Sequence, residues 1–163
     1  MVQIALTLGG AVYIGVGLGC FYGVHEFFYW SAGSGRAIQD LQAVKLEAGY
    51  FTITTLASIW LCDTAAFALG RKLGKTKISE RVSPNKTYEG ATAGLVFAML
   101  TWFAARAFVP ALATISITTC IVMGVIVGIM GQAGDFAESL LKRDVGVKDS
   151  SSLLPGHGGM LDR

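Results

Sequence analysis

Charged residues are scarce in this sequence. Only 15% of its 163 residues are Asp, Glu, Lys or Arg, against about 25% in an average soluble domain. Hydrophobic residues make up 53%, and the mean hydropathy is +0.56. So few charges cannot cover a water-facing surface around a core, so the composition indicates an integral membrane protein. The length predicts one membrane domain over residues 1–163.

Cysteine is also rare and lacks the spacing of a metal site. Cys20, Cys62 and Cys120 lie in separate apolar stretches, and no two of them are close in sequence. This pattern predicts three small buried hydrophobic residues and neither a disulfide framework nor a C-x-x-C site. The basic residues are not interleaved with aromatic ones as they are in nucleic-acid-binding surfaces. We therefore expect no nucleic-acid partner.

Four stretches are long and apolar enough to cross a bilayer, which takes about 20 residues. Each carries at most one charged residue. Because lipid offers no hydrogen-bond partners to the backbone, each stretch is predicted to be a helix. The predicted fold class is therefore all-α, a polytopic helical bundle with about four transmembrane helices. The predicted spans are residues 2–24, 49–69, 90–109 and 111–134.

The last two predicted spans are separated only by a short turn at Pro110. Proline ends the preceding helix, so the two spans are expected to be antiparallel neighbours. Small residues four apart occur in both, Gly90 with Gly94 and Gly124 with Gly128. Such pairs allow two helix backbones to approach closely. The alternative, that these glycines are merely tolerated in membrane helices, is equally open.

Lys and Arg are distributed unequally between the loops. The loop at 70–89 carries six of them, and the loop at 25–48 carries two. The positive-inside rule therefore places the 70–89 loop in the cytoplasm. Two further spans return the 135–163 tail to the same side, so the two most polar segments are predicted to share one face of the membrane.

A pair of acidic residues and then a pair of basic ones follow just after the fourth span. If its helix continues into the tail, Asp135, Glu138, Ser139 and Lys142 share one face. Carboxylate oxygens suit Mg²⁺, and Lys142 with Arg143 suits phosphate oxygens. The alternative is an ordinary charged helix end whose acids and bases pair with one another.

Two further positions before the third span are candidates. Asp63 lies inside a predicted span, where an ionisable residue is energetically costly and is therefore a candidate site residue. The alternative is that Asp63 lies near the membrane interface and pairs with a cation. Pro84 disfavours helix at Ser83, the residue before it. A helix is therefore predicted to begin just after Pro84. Lys86 near that helix start suits an anion. Asn85 either caps the helix or hydrogen-bonds a ligand.

The C-terminal segment carries a longer polar pattern. His157 lies among glycines, which permit tight turns and close approach to a ligand, although a single His in such a setting is usually an ordinary loop residue. The whole string is more specific than this histidine. Its members are Ser139, Lys142, Arg143, Lys148, Asp149, Ser151, Leu154, Pro155, His157, Gly158, Gly159, Met160, Asp162 and Arg163.

This string resembles, in register, the C-terminal signature of bacterial-type CDP-diacylglycerol synthases (phosphatidate cytidylyltransferases). The stretches Asp63–Phe67, Gly70–Lys72 and Ser83–Gly90 resemble a second block of the same family. The resemblance covers about residues 60–163, which it marks as the cytidylyltransferase catalytic region. The family pattern continues beyond the Asp-Arg pair with which this sequence ends, so an inactive fragment is among the open interpretations.

The resemblance implies transfer of CMP from CTP to phosphatidate, with Mg²⁺ as cofactor and two metal ions as an option. The implied metal ligands and basic residues share one purpose, which is to gather and neutralise phosphate charge. The expected metal ligands are Asp135 and Asp162, with Glu138 and Asp149 as weaker candidates. The expected phosphate-binding and catalytic residues are Lys86, Lys142, Arg143, Lys148, Asp149, His157 and Arg163. The expected nucleotide contacts are Ser83, Asn85 and Lys86, with Asp63 supporting them from a neighbouring helix.

Two other classes of function stay open at this point. One is a CTP-dependent lipid-alcohol kinase or a cytidylyltransferase for another lipid phosphate, which would share the nucleotide site. The other is a non-catalytic membrane protein, although a transporter predicts polar residues near the midplane rather than at one end of the spans. By resemblance, the expected location is the bacterial inner membrane with the site facing the cytoplasm. The expected partners are the bilayer, CTP and phosphatidate, with a homodimer left open.

Overall fold

The structure is a computed structural model that describes residues 41–79, 82–144 and 146, together with 15–17, 19, 20, 22–26 and 30 nearer the N-terminus. Three long helices and one small β-hairpin account for most of these residues. In chain order the elements are α1 (Leu41–Leu73), β1 (Lys77–Ser79), β2 (Ser83–Thr87), α2 (Tyr88–Phe108), a 3-10 turn (Pro110–Leu112) and α3 (Ile117–Asp144).

The all-α membrane-type bundle is confirmed. Among the described residues, three helices are long and apolar enough to cross a membrane, Gln42–Leu73, Tyr88–Phe108 and Ile117–Asp144. They correspond to the second, third and fourth predicted spans. Most of the first predicted span, 2–24, lies outside the described residues, and its described positions from 15 onwards are helical.

Two predicted boundaries are wrong. The second span begins at Leu41 rather than at 49, so Lys45 and Glu47 lie in a helix and not in a loop. The fourth begins at Ile117 rather than at 111, because Pro110 opens a 3-10 turn. The N–H of Thr119 then bonds the Oγ of Ser116 at 3.0 Å. This cap satisfies a free N–H and fixes the start of α3.

The prediction of a helix just after Pro84 is also wrong. Ser83–Thr87 forms strand β2, which pairs antiparallel with β1 through the partners Lys77↔Thr87 and Ser79↔Ser83. Helix α2 starts only at Tyr88. Thr87 caps it, since its Oγ1 accepts a hydrogen bond of 3.2 Å from the N–H of Gly90.

The chain divides into two compact units, and the first comprises Met1–Leu56 and Ala104–Ile115. Within its described part, the Arg106 Nε donates a 2.7 Å hydrogen bond to the carbonyl of Ile115. Leu112 is fully buried in the same turn. The single charge of the third predicted span therefore secures the turn that comes after it.

The second unit comprises Ala57–Phe103 and Ser116–Arg163. In its described part, α1, α2 and α3 meet at Cys62, Ala98 and Val127, all of them buried. The hydroxyl of Ser58 donates to the carbonyl of Ala98 at 3.2 Å. A buried hydroxyl thus has its partner on the neighbouring helix, as burial of a polar group requires. The prediction of a single membrane domain over the whole chain stays a prediction.

Glycines bring the helices of this second unit into backbone contact. A Cβ added at Gly90 would lie 2.6 Å from the carbonyl oxygen of Ala66, and one at Gly94 would lie 2.9 Å from that of Cys62. These pairs run in opposite directions along the two helices, so α1 and α2 are antiparallel. The interpretation that these glycines serve close packing is confirmed.

The same geometry joins α2 to α3. A Cβ at Gly124 would lie 2.6 Å from the Cα of Met99, and one at Gly128 would lie 3.0 Å from the Cα of Leu95. The contact positions again run in opposite directions along the two helices. The expectation that the last two helices are antiparallel neighbours is therefore confirmed.

The cysteine prediction is right at two positions and wrong at one. Cys62 and Cys120 are buried, whereas Cys20 is exposed. An exposed cysteine in an apolar stretch suits contact with lipid, in which a thiol behaves as a small hydrophobic group. Many large apolar side chains on the helices are exposed as well, as lipid contact would require. They include Ile53, Trp60, Phe67, Phe97, Leu100, Phe108, Ile121, Ile126 and Met130.

Candidate active site

A cavity of about 260 Å³ lies within the second unit, between the three helices and the hairpin. One part of its lining is polar and the other apolar, which is typical of a ligand pocket. The volume is slightly below the usual range of about 300–1,000 Å³ for small-molecule sites. The polar lining is Asp63, Ser83, Asn85, Lys86, Thr87, Gln132 and Asp135, and the larger apolar residues are Phe67 and Ile78.

Lys86 and Asp135 form an ion pair across this cavity. The Lys86 Nζ lies 2.7 Å from the Asp135 Oδ2, with the side chains 25% and 56% exposed. The same ammonium lies 5.5 Å from the centre of the Phe136 ring, within cation–π range. This pair joins a buried nitrogen to a largely exposed carboxylate. Its main effect is to hold an ammonium and a carboxylate at defined places.

Asp63 contributes a second carboxylate from α1. It lines the cavity ten residues before the end of the helix and is exposed. Its charge interacts with those of both Asp135 and Lys86. Asp63 therefore belongs to the cavity, but the ion pair there joins Lys86 to Asp135, so the interpretation of Asp63 as a site residue stays a prediction.

The predicted charged face of α3 is confirmed as a helix face, since the helix continues to Asp144. Its members have different surroundings, however. Glu138 and Lys142 form an ion pair of 2.9 Å, and the Ser139 hydroxyl bonds the carbonyl of Asp135 on its own helix. Of this face only Asp135 lines the cavity. The self-paired alternative thus describes Glu138 and Lys142.

The hairpin that carries Lys86 is attached to the helices at both ends. At its base, both carboxylate oxygens of Glu89 accept the N–H of Thr76 at 3.2 Å, and the Tyr88 N–H bonds the Thr76 carbonyl at 3.0 Å. Near its tip, the Arg143 Nε donates a long hydrogen bond of 3.4 Å to the Val82 carbonyl. These contacts hold Lys86 in place beside α3.

The comparison with known proteins identifies the family. A model described as the cytidylyltransferase family matches residues 2–163. The chain belongs to this family. The chain is similar to the phosphatidate cytidylyltransferases of Staphylococcus saprophyticus (38% identical over 129 residues, 79% of this chain and 49% of that protein) and Staphylococcus haemolyticus (34% over 159 residues, 98% and 53%). That of Staphylococcus aureus is 35% identical over 161 residues, again 98% and 53%. The chain spans about half the length of the curated relatives it matches.

Membership of the cytidylyltransferase family confirms the resemblance found in the sequence, but it leaves individual site residues to be tested. Within the described part of the chain, no three His, Cys, Asp or Glu residues form a metal-binding group. The prediction for Asn85 as a helix cap is wrong, because it lies exposed in β2. The predicted site residues Lys148, Asp149, His157, Asp162 and Arg163 lie outside the described residues.

Sequence reasoning missed two polar residues of the cavity lining, Thr87, which caps α2, and Gln132. Gln132 is the only amide side chain in the charge-free fourth span, three residues before Asp135. Three residues correspond to nearly one helical turn, so the two side chains share a face. That spacing is the signal that would have identified Gln132.

We expect Glu89→Gln to loosen the hairpin of this cytidylyltransferase-family chain. A neutral amide accepts a weaker hydrogen bond from the Thr76 N–H than a carboxylate does. Amide hydrogen exchange over residues 75–87, followed by mass spectrometry, should become about three- to tenfold faster, as expected for easier local opening. Glu138→Gln, on α3 and away from the hairpin base, is the matched control. Equal exchange in the two variants would contradict the anchoring role of Glu89.

Proposed function

We propose that the full-length protein transfers CMP from CTP to phosphatidate, forming CDP-diacylglycerol and pyrophosphate. The observation that carries this proposal is the cavity between apolar helices that brings together Lys86, Asp63 and Asp135. The names of the curated relatives support it, since each is a phosphatidate cytidylyltransferase.

The proposed reaction needs little acid–base chemistry. A phosphate oxygen of phosphatidate forms a bond to the α-phosphorus of CTP, and the bond from that phosphorus to the bridging oxygen breaks, releasing pyrophosphate. The nucleophile is already an anion, so the main requirement is to hold several negative charges close together. Positioning and electrostatic stabilisation therefore dominate, as in phosphoryl transfer generally.

Mg²⁺ is the proposed cofactor, and the carboxylates of the cavity fit it. Asp63 and Asp135 line the same space and offer hard oxygen ligands, with Asp162 as a further proposed ligand. Glu138 is a weaker candidate because it is paired with Lys142. When bound, one or two such ions would neutralise charge on the triphosphate.

The proposed roles of this chain's cations depend on their positions. Lys86 lies in the cavity and would bind a phosphate oxygen directly. Arg143, beside the hairpin tip, would contact the triphosphate or position the hairpin. Ser83 and Asn85 would contact the nucleotide from β2. The phosphate-binding and catalytic roles of Lys142, Lys148, Asp149, His157 and Arg163 belong to the same proposal.

The proposed location is the bacterial inner membrane, with the cavity on the cytoplasmic side. The end of α1 nearest the cavity carries Arg71 and Lys72, and Lys75 and Lys77 come next in the same connection. Such an excess of basic residues favours the cytoplasmic face. The exposed Phe67 lines the cavity from α1 and would lie beside the lipid substrate. The proposal includes both a monomer and a homodimer as alternatives for the oligomeric state.

A labelling experiment tests the proposal. The full-length protein in detergent is incubated with phosphatidate and CTP labelled at the α-phosphorus, with Mg²⁺ or with EDTA, and label in the lipid fraction is counted. We expect labelled lipid with Mg²⁺ and a loss of at least about 100-fold with EDTA, because uncompensated phosphate charges repel one another. Transfer of γ-label to a lipid alcohol would instead identify a kinase. No labelled lipid in either assay would overturn the proposal.

A further inference from the structure

Gln132 is held in one orientation at the wall of the cavity. Its Nε2 donates to the carbonyl of Gly128 at 2.8 Å and to that of Ala91 at 3.0 Å. The sulfur of Cys62 lies 3.6 Å from the same nitrogen. One amide group therefore connects α3 to both neighbouring helices, next to the ion pair that spans the cavity.

These partners decide which end of the amide is free. An amide nitrogen carries two hydrogens, and here two carbonyl oxygens receive them. Turning the amide over would place its oxygen against the same two carbonyl oxygens, which is unfavourable, so the network assigns the orientation. The Oε1 has no hydrogen-bond partner within the described part of the chain, so it is the polar atom left for a ligand. Gln132 thus presents a fixed, neutral hydrogen-bond acceptor.

An acceptor recognises a donor, and this restricts which part of the proposed substrates it could contact. The phosphates of CTP and phosphatidate are anions with acceptor oxygens, and the esters of phosphatidate accept as well. Neutral N–H and O–H donors occur only on the nucleoside, as the 4-amino group of cytosine and the ribose hydroxyls. Ser83 and Asn85 line the same cavity and supply donors that would complement the acceptor atoms of the base.

We propose that Gln132 is a nucleotide-contacting residue whose Oε1 accepts a hydrogen bond from cytosine or from ribose. This inference rests on the proposed function. With UTP, a carbonyl oxygen would replace the 4-amino group and face the Oε1, leaving two acceptors without a proton between them. With dCTP, the 2′-hydroxyl would be missing. A site built around a hydrogen bond discriminates strongly against an analogue that lacks it.

The test compares nucleotide preference rather than activity alone. For the wild type and Gln132→Met, kcat/KM is measured with CTP, UTP and dCTP at one phosphatidate concentration. Met has a similar length and lacks both the amide donors and the carbonyl acceptor. Gln42→Met, on the exposed first turn of α1 and outside the cavity, is the matched control.

We expect the preference of the wild type for CTP over one of the two analogues to fall at least about tenfold in Gln132→Met. Loss of the CTP/UTP ratio would assign the contact to cytosine, and loss of the CTP/dCTP ratio would assign it to ribose. Gln42→Met should leave both ratios unchanged. A merely structural role would lower the rates with all three nucleotides by the same factor, and that outcome would overturn the inference.

A second variant covers the case in which Gln132→Met does not fold. Gln132→Lys keeps a donor for the Ala91 and Gly128 carbonyls and has no acceptor, so it should show the same loss of preference. If the wild type transfers CMP from CTP and Gln132→Lys has the same CTP/UTP and CTP/dCTP ratios as the wild type, the inference is rejected. If the wild type transferred no CMP from CTP at all, the proposed function itself would have failed.

Discussion

Asp135→Asn should lower kcat/KM for the proposed CMP transfer by about 100- to 1,000-fold, the range found when a group that stabilises transition-state charge is removed. Asn keeps the shape of the side chain but loses the negative charge. The Lys86 ammonium 2.7 Å away would lose its partner, and the described lining of the cavity would lose one of its two carboxylates. The variant should remain folded, since the changed side chain is 56% exposed and its replacement has the same shape.

Steady-state assays of the full-length protein would measure this effect. Asp144→Asn, at the exposed end of the same helix and outside the cavity, is the matched control and should retain activity close to that of the wild type. The double variant Lys86→Met/Asp135→Asn should lose less than the product of the two single losses, because the two residues contact each other. Activity above about a tenth of the wild type in Asp135→Asn would remove this residue from the proposed mechanism.

Gly124→Ala should destabilise the bundle. The added methyl group would lie 2.6 Å from the Cα and 3.0 Å from the backbone nitrogen of Met99. A backbone cannot move aside as a flexible side chain can, so α2 and α3 would have to separate. We expect a loss of about 1–3 kcal/mol, which is typical of overpacking, and a lower midpoint of thermal unfolding in detergent.

The same helix offers a matched control for this prediction. A Cβ at Gly131 would meet nothing within 4 Å. Gly131→Ala should therefore be neutral or stabilising by up to about 1 kcal/mol, because alanine favours helix more than glycine does. If both variants unfolded at the same temperature, close packing at Gly124 would not be what holds these helices together.

The membrane helices could be predicted from the sequence because their signal is strong and local. A charge-free run of more than 20 residues has few other structures available in lipid. The spacing of Gly124 and Gly128 was also visible as a pattern that suits close helix packing. Which element each glycine would face was not, because that depends on contacts between helices that are distant in sequence.

The β-hairpin was not predicted because the local rule for proline does not decide the structure of the residues that follow it. Proline at position 84 disfavours helix at the residue before it but leaves the structure of the next residues open. The outcome was decided by Thr87, which caps α2, and by Glu89, which binds the backbone of Thr76 thirteen residues earlier. Contacts of that kind have no periodic signature, so the sequence suggested a helix start three residues too early.

The charged residues of the site show the same limit. Asp135, Glu138 and Lys142 share one helix face as predicted, but the spacing alone could not show that Glu138 and Lys142 would pair with each other. It also could not show that Lys86 would reach Asp135 from a strand. The residue types indicated a site that binds phosphate groups. Which of these residues line the cavity is known only from the three-dimensional structure.

In a bilayer, the length of α2 would set the depth of the cavity. Its 21 residues rise about 31 Å, close to the thickness of a typical hydrocarbon core. Helices α1 and α3, with 33 and 28 residues, are long enough to extend beyond that core. Because Lys86 comes two residues before α2, a thicker bilayer would draw its ammonium towards the acyl chains, and a thinner one would leave it in water. The rate in vesicles should therefore depend on the acyl-chain length of the host lipid even when the substrate is unchanged.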